Sequence, residues 1–393
     1  MLISTYKMEI IKNYLKYSLW LVLIVFAALF GLHWLPAITI DGHTMRRVDL
    51  LSDLRYPKQE VAVADSDTIP LPPVVKPVFV DTCRAGMTCI EDYGDSTRRG
   101  MASFYEALDR TSSSHPDHDG LVRIAVFGDS FIEADIFTAD LREMLQKRFG
   151  GCGVGFVTIT SMTSGYRPTV RHTFGGWSSH AVTDSVYFDK KKQGISGHYF
   201  IPREGAYVEL RGQSKYASLL DTCQQASIFF YNKDSVHLTA RVNRGESKNY
   251  SLAPSGDLQK ISVEGRIGSV RWTVDRADST LFYGLAMDGK KGIILDNFSL
   301  RGSSGLSLRG IPQQMLRQFN EQRPYDLIIL EYGLNVATER GRNYDNYQKG
   351  LLTSIEHLKN CFPQASILLW PSGGPEHCGD GRERELLSCG KRE

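Results

Sequence analysis

The sequence predicts an α/β fold, a doubly wound parallel sheet interrupted by an inserted all-β sandwich domain. Short apolar runs alternate with helical patterns before residue 168 and again after residue 292, which is typical of parallel strands joined by helices. Between them, long helical patterns disappear, and short β-rich runs separated by polar turns replace them. We therefore expect residues 100–168 and 292–370 to form one α/β domain, with residues 169–291 inserted into it as a second domain.

The composition excludes several classes of function. A chain of 393 residues is long enough for two domains, and its charged fraction of 23% is ordinary for a globular protein. A formal net charge of +2, without a basic run between aromatic residues, argues against a nucleic-acid-binding protein. The seven cysteines form no CxxC pair and there is no HExxH motif, so we expect no metal site and no cofactor.

The N-terminal residues predict a membrane anchor. Lys7, Lys12 and Lys16 precede an apolar run at residues 17–38, which is about the length that a helix needs to cross a bilayer. Lysines ahead of a span favour the cytoplasm for that end. We therefore expect a single-pass anchor at residues 1–40 in the inner (cytoplasmic) membrane, with the body in the periplasm or outside the cell. A cleaved signal peptide is the alternative.

A polar, proline-rich segment follows at residues 41–99. Four prolines between residues 70 and 77 are typical of an extended, semi-rigid spacer. Cys83 and Cys89 lie in this segment, and they either form a disulfide, as an oxidising compartment allows, or remain two unpaired thiols.

The first part of the α/β domain is predicted to contain a strand, a tight turn and a helix. A helical pattern at Gly100–Arg110 precedes the apolar run Leu121–Phe127, which we interpret as a buried strand. The tripeptide Gly128-Asp129-Ser130 ends this strand. Apolar residues then recur every four positions, which is the spacing of one helical face: Phe137, Leu141, Leu145 and Phe149.

Further strands and helices are predicted after residue 169. In the insert we expect strands at Ser227–Tyr231, Val236–Val242, Lys260–Val263 and Ser269–Val274. In the second part of the α/β domain we expect strands at Gly292–Leu300, Tyr325–Leu330 and Ala365–Trp370, and helices at Ile311–Gln322 and Tyr347–Leu358. Ser130, Gly302 and Asn335 each follow one of these strands, at the edge of a parallel sheet where ligands bind.

Ser130 is the candidate nucleophile. A serine at a strand-to-helix turn directs its hydroxyl into the crevice at the sheet edge, and the N–H groups of the next helix favour negative charge there. The alternative is that Ser130 is the N-cap of that helix, a position that also favours serine. Asn335 has a similar alternative as an ordinary turn residue.

Three segments of the chain resemble the conserved blocks of one enzyme family. Ile124–Ser130 resembles the first block of the SGNH (GDSL) hydrolases, and Asn335, preceded two positions earlier by a glycine, resembles the third block. Gly302 is our match to the glycine of the second block, with Gly305 as a competitor. The order of the blocks is the order of the family, and the resemblance covers residues 123–370.

The resemblance implies a fold and a chemistry. The fold would be the flavodoxin-like, three-layer arrangement of SGNH hydrolases. Asp135 and the helix after it are similar to peptidoglycan O-acetylesterases, which carry an inserted β-sandwich resembling a carbohydrate-binding module. Ser130 would attack an ester carbonyl. The N–H groups of Ser130 and Gly302 and the side-chain amide of Asn335 would then form the oxyanion hole.

One block of the family has no counterpart in this chain. The family's Asp-x-x-His, which supplies the general base, is missing after Asn335. His357 lies within a predicted helix, and His377 has no acidic residue three positions before it. Residues 371–393 show no helical or strand period, and we interpret them as a truncated or frame-shifted tail; a partner that supplies the missing part is the alternative. A serine without a base is a weak nucleophile, so we expect the chain to be inactive on acetyl esters.

The leading hypothesis is an envelope-facing esterase that removes acetyl groups from cell-wall glycan. Its expected partners are O-acetylated cell-wall glycan and the membrane that holds the N-terminal helix. A non-catalytic glycan-binding or scaffolding protein is one alternative, and an acyltransferase on the same scaffold is another. The sequence decides neither the sugar nor the acyl group nor the oligomeric state.

Overall fold

The computed structural model describes residues 16–27, 30, 39–40, 43–44, 90, 100–111, 120–184, 188–337 and 343–371. The chain divides into two compact units, Met1–Arg84 and Ala85–Glu393. In the first unit, residues 16–27 are helical, and strand β1 (Thr39–Ile40) pairs with strand β2 (His43–Thr44) in antiparallel orientation.

The prediction of a membrane anchor, and with it the inner-membrane location, is wrong. In the part of the chain that the structure describes, no helix is long and apolar enough to cross a membrane. The predictions for the spacer with Cys83 and Cys89, and for the tail with His377, lie outside the described residues.

The second unit contains two sheets and four described α-helices. Its strands are β3 (Leu121–Gly128), β4 (Gly155–Val157), β5 (Val170–Ala181), β6 (His198–Gly212), β7 (Cys223–Asn232), β8 (Val236–Val242), β9 (Ser247–Leu252), β10 (Leu258–Ile267), β11 (Ser269–Ala277), β12 (Thr280–Asp288), β13 (Gly292–Ser299), β14 (Leu327–Tyr332) and β15 (Ser366–Pro371). Its helices are α1 (Ala102–Asp109), α2 (Ile136–Phe149), α3 (Gln313–Gln322) and α4 (Asp345–Cys361).

A four-stranded parallel sheet has the strand order β13-β3-β14-β15. All four strands were predicted from their apolar runs to within two residues at either end, because both faces of the sheet are covered and the runs are continuous. The four helices were predicted as well, and α2 presents the expected apolar face to the core. The fold is therefore a mixed α/β fold with a parallel sheet.

Alternate residues of β3 contribute to two different cores. Ile124 and Val126 lie in one core with α1 and α2, and Ala125 and Phe127 lie in another with α3, α4 and part of the antiparallel sheet. All four side chains are buried. Helices thus cover both faces of the parallel sheet, as in other α/β folds. The finer assignment to the three-layer SGNH arrangement stays a prediction.

The remaining strands form a nine-stranded antiparallel sheet. Its strand order is β10-β7-β12-β6-β11-β8-β9, with β4 paired to β12 and β5 paired to β6. The four strands predicted in the insert are present as β7, β8, β10 and β11. The sequence did not predict β5, β6, β9 and β12. Strand β4 belongs to this sheet as well, although it lies before residue 169, where the insert was expected to begin. The inserted domain and its sandwich form therefore stay predictions.

A buried ion cluster joins the two sheets. Arg323, directly after α3, donates hydrogen bonds to Asp288 at the end of β12 and to Asp296 in β13, over 2.5–2.9 Å. The Tyr325 hydroxyl and the Phe156 N–H also donate to Asp296, at 2.6 and 2.7 Å. Burial raises the pKa of Asp296, but the Arg323 charge and these hydrogen bonds outweigh it and hold the pKa below its usual range.

Candidate active site

The three predicted site segments meet at one edge of the parallel sheet. Ser130 follows β3, Gly302 follows β13 and Asn335 follows β14, and β3 lies between the other two strands. The strands are parallel, so their carboxyl ends lie at the same edge. The Leu300 N–H donates to the Gly128 carbonyl at 2.9 Å, which continues the pairing of β13 with β3 up to the site.

The side-chain amide of Asn335 connects the other two segments. Its Nδ2 donates to Asp129 Oδ2, beside Ser130, and to the Ser303 carbonyl, beside Gly302, both at 2.9 Å. Both partners are acceptors only, so this orientation of the amide is the one that the contacts require. Both amide hydrogens are used in this arrangement. An oxyanion would have to replace one of the two acceptors.

The side-chain carboxylates of Asp129 and Glu331 hold the Ser130 turn by accepting hydrogen bonds from main-chain N–H groups. The Phe131 N–H donates to Asp129 Oδ1 at 2.7 Å, and the Asp129 N–H donates to Glu331 Oε2 at 3.2 Å. A Cβ on Gly128 would lie 2.6 Å from the same Glu331 oxygen and 2.6 Å from the end of the Ile132 side chain, so a larger residue would force these side chains to shift. Asp129 is buried and Ser130 is exposed. No described residue forms a hydrogen bond with the Ser130 hydroxyl.

The interpretation of Ser130 as a helix N-cap is wrong. Helix α2 begins only at Ile136, and its N-cap is Asp135. Ala134 and Asp135 both have φ = 64°, a left-handed conformation that L-residues rarely adopt, and they delay the start of the helix. The sequence predicted that the N-terminus of this helix lies at Ser130. In the structure the helix begins six residues later, at Ile136.

The two candidate glycines of the second block differ in their surroundings. Gly302 is exposed, with φ = 73° and open space around its missing side chain. Gly305 is buried, with φ = 81°, and a Cβ there would lie 2.7 Å from the Tyr332 ring. The Gly305 N–H donates to Ser303 Oγ at 3.2 Å. Of the two glycines, Gly302 is the one whose N–H forms no hydrogen bond with an acceptor among the described residues.

Two tyrosines line the loop that carries Gly302. The Tyr347 hydroxyl donates to the Ser304 carbonyl at 3.0 Å. Burial raises the pKa of Tyr347 to about 12 and raises the pKa of Tyr332 further. Both hydroxyls therefore keep their protons at neutral pH, and the Tyr347 hydroxyl acts as a structural donor.

Sequence reasoning did not foresee the role of Asp135. Its buried carboxylate accepts hydrogen bonds from Arg142 on α2, Arg167 and Thr169 on the loop before β5, and Asn297 on β13. Burial alone raises the pKa of Asp135, but the two arginines and the hydrogen bonds hold it well below its usual range. Asn297 also donates to the Ile132 carbonyl at 2.9 Å, so the cluster fixes the segment between Ser130 and α2.

Three of the described histidines hold main-chain segments in place. Ring nitrogens of His172, His198 and His357 contact the main-chain carbonyls of buried segments, at 2.8–3.0 Å. Burial lowers the pKa of His172 to about 4. His357 contacts the Ile311 carbonyl from α4. Among the described residues, no group of three or more His, Cys, Asp or Glu is arranged to hold a metal ion.

Comparison with known proteins shows the fold and leaves the family open. A solved peptidoglycan O-acetylesterase is 19% identical, matches 71% of this chain and 73% of its own, and superposes with a TM-score of 0.56. A family two carbohydrate esterase from Cellvibrio japonicus (10% identity, 59% of this chain, 85% of its own) and a family 29 carbohydrate-binding module (12%, 35% and 93%) reach TM-scores of 0.22. No family model and no curated protein matches the chain.

The first of these matches shows a shared fold, and at 19% identity it shows the fold alone. At a TM-score of 0.22 the other two matches support no argument. The resemblance to SGNH hydrolases therefore stays a prediction that rests on the residues of the three blocks.

Proposed function

We propose that this protein is a serine esterase that removes acetyl groups from a glycan, with O-acetylated cell-wall glycan as the substrate. One observation carries the proposal: the Asn335 amide bonds directly to the neighbours of Ser130 and Gly302, so three segments distant in sequence converge at the carboxyl edge of the parallel sheet. This is the edge at which α/β proteins bind ligands. The shared fold with a peptidoglycan O-acetylesterase supports the same reading.

The proposed reaction has two steps. The Ser130 oxygen attacks the acetyl carbonyl carbon, the sugar hydroxyl leaves with a proton, and an acetyl-serine remains. Water then attacks this ester and releases acetate. The N–H groups of Ser130 and Gly302 and the Asn335 amide stabilise the negative charge on the carbonyl oxygen in both steps. The Asn335 amide must exchange the Ser303 carbonyl or the Asp129 carboxylate for this oxygen.

A general base has to accept the Ser130 proton. None of the residues that the structure describes is a hydrogen-bond partner of the Ser130 hydroxyl, and His172, His198 and His357 contact main-chain carbonyls elsewhere. The same observations favour a second candidate function, a glycan-binding protein that has kept the site and lost its chemistry. The two candidates predict the same ligand and differ in the reactivity of Ser130.

Labelling with a fluorophosphonate probe separates the candidates. We expect weak labelling, because no described residue accepts the Ser130 proton, with a single adduct that peptide mapping places on Ser130 and no adduct in Ser130→Ala. In Asn335→Ala the labelling rate should fall about 100- to 1000-fold, because an oxyanion donor is lost. Ser255→Ala is the matched control and should label like the parent. Ser255 lies in the turn between β9 and β10, far from Ser130 in the sequence. Binding of O-acetylated glycan without any adduct on Ser130 would favour the second candidate.

A further inference from the structure

Large apolar side chains are exposed on the segment that follows Ser130 and on the loop that the Arg167–Asp135 ion pair joins to that segment. Phe131 and Ile136, on the segment after Ser130, are 65% and 71% exposed, and Met162 and Tyr166, on the loop before β5, are 81% and 84% exposed. We call these four side chains the apolar rim. Isolated exposed apolar residues are common on protein surfaces, but a group of large ones beside a candidate site indicates a binding surface.

The two segments of the apolar rim are tied together by a buried ion pair. Arg167, next to Tyr166, contacts the carboxylate of Asp135, next to Ile136, through Nε and through a second guanidinium nitrogen, both at 2.8 Å. The loop itself closes in a tight turn, in which the N–H groups of Tyr166 and Arg167 donate to the Thr163 carbonyl at 2.9 and 3.1 Å. Both segments are therefore fixed relative to each other before any ligand binds.

The chemistry around the apolar rim is that of a sugar-binding surface. The loop carries hydroxyl side chains between its apolar ones, and Ser161 and Thr163 bond to each other at 3.0 Å. A sugar ring has an apolar C–H face and a polar edge of hydroxyls, so it fits an aromatic ring flanked by hydroxyl groups. Residues 129–136 and 158–166 contain no lysine or arginine, and Arg167 is paired with Asp135, which disfavours an anionic lipid surface.

The geometry points to Phe131 and Tyr166 as a stacking subsite for the sugar ring that carries the acetyl group, or for the ring next to it. This inference rests on the proposed function, because it names the part of the substrate that the site recognises besides the ester. Stacking on an aromatic ring would bring a glycan strand over Ser130 and distinguish it from a small acetyl ester.

Binding measured without turnover tests the subsite. In a Ser130→Ala background, titration calorimetry with O-acetylated chitotetraose gives a dissociation constant that does not depend on catalysis. We expect Phe131→Ala and Tyr166→Ala each to weaken binding about tenfold, and Tyr166→Phe to retain it, because stacking needs the ring and not the hydroxyl. Tyr216→Ala removes a similarly exposed tyrosine (59%) between β6 and β7 and should leave the dissociation constant unchanged.

Equal affinities of the parent, Phe131→Ala and Tyr166→Ala would overturn the subsite, and so would the absence of any binding to the tetrasaccharide. Binding of the parent to vesicles of phosphatidylglycerol that Tyr166→Ala abolishes would overturn it as well, in favour of a lipid surface. These outcomes are independent of the chemistry at Ser130. A protein that binds the tetrasaccharide through the apolar rim but forms no adduct on Ser130 would refute the esterase proposal alone.

Discussion

Two buried charge clusters hold this fold, and they differ in composition and in place. The first contains Asp135 with Arg142 and Arg167, one carboxylate between two guanidinium groups, beside the Ser130 segment. The second contains Arg323 with Asp288 and Asp296, one guanidinium between two carboxylates, between the two sheets. All the carboxylates and guanidinium groups named here are buried or nearly so.

The difference lies in what each cluster restrains. Arg323 connects regular strands whose backbone needs no unusual conformation, so its main contribution is to stability. Asp135 itself has a left-handed backbone and joins a turn, a helix and a surface loop around the candidate site. Strained residues persist when their surroundings hold them in place, and they are common at functional sites. Loss of the Asp135 cluster should therefore disturb the site as well as the fold.

The largest expected effect comes from breaking the cluster between the sheets. Arg323→Met leaves two buried carboxylates without a positive partner, and we expect it to lower the free energy of unfolding by about 4–5 kcal/mol. Urea denaturation followed by circular dichroism measures this. Arg317→Met, an exposed arginine of α3, is the control and should change the value by less than about 0.5 kcal/mol. A loss below about 1 kcal/mol for Arg323→Met would mean that the cluster does not join the sheets.

The cluster beside the site should show a smaller loss of stability and a larger loss of reactivity. Asp135→Asn removes the charge between two arginines but keeps the size of the side chain, and we expect a loss of about 3 kcal/mol. The reaction of Ser130 with the fluorophosphonate probe should slow in this variant under conditions in which it is still folded. Asp140→Asn, an exposed aspartate of α2, is the control for both measurements. Unchanged labelling in folded Asp135→Asn would break the distinction between the two clusters.

Acid should weaken the loop before β5 through His172. The pKa of His172 is about 4 in the folded protein, below its ordinary value of 6.5, so the folded state binds fewer protons than the unfolded state between these values. Stability from this group is complete above pH 6.5 and is lost as the pH falls towards 4, by about 2 kcal/mol at pH 5. His172→Gln should remove this part of the pH dependence, and His237→Gln, at a half-buried histidine of β8, is the control. Parallel pH profiles for all three proteins would contradict the prediction.

The two glycines after β13 should give the smallest effects and can be told apart. Gly305→Ala puts a methyl group against the Tyr332 ring in a left-handed backbone and should cost about 2 kcal/mol in the free energy of unfolding. Gly302→Ala meets open space and should cost about 1 kcal/mol, from the backbone alone. Thermal unfolding measures both. Equal losses would mean that Gly305 is not packed as described.

The parallel sheet could be predicted from the sequence because its strands are continuous apolar runs, such as Leu327–Tyr332. Strand β5 was missed because its residues alternate only in part and Gly175–Trp177 interrupts the register. The grouping of Ser130, Gly302 and Asn335 follows from parallel strands that end at one edge. By contrast, the partners of Asp135 come from separate segments of the chain, and no local pattern brings a buried charge together with such partners.

Chemical rescue tests most directly whether Ser130 is the nucleophile of an esterase site. Imidazole in the buffer can accept the proton that no described neighbour of Ser130 accepts, so acetate release from O-acetylated chitotetraose should rise with imidazole concentration. The solution reaction of imidazole with the substrate alone is subtracted. We predict that this release disappears in Ser130→Ala and falls at least about 100-fold in Asn335→Ala. Acetate release that is the same in Ser130→Ala as in the parent would contradict Ser130 as the nucleophile.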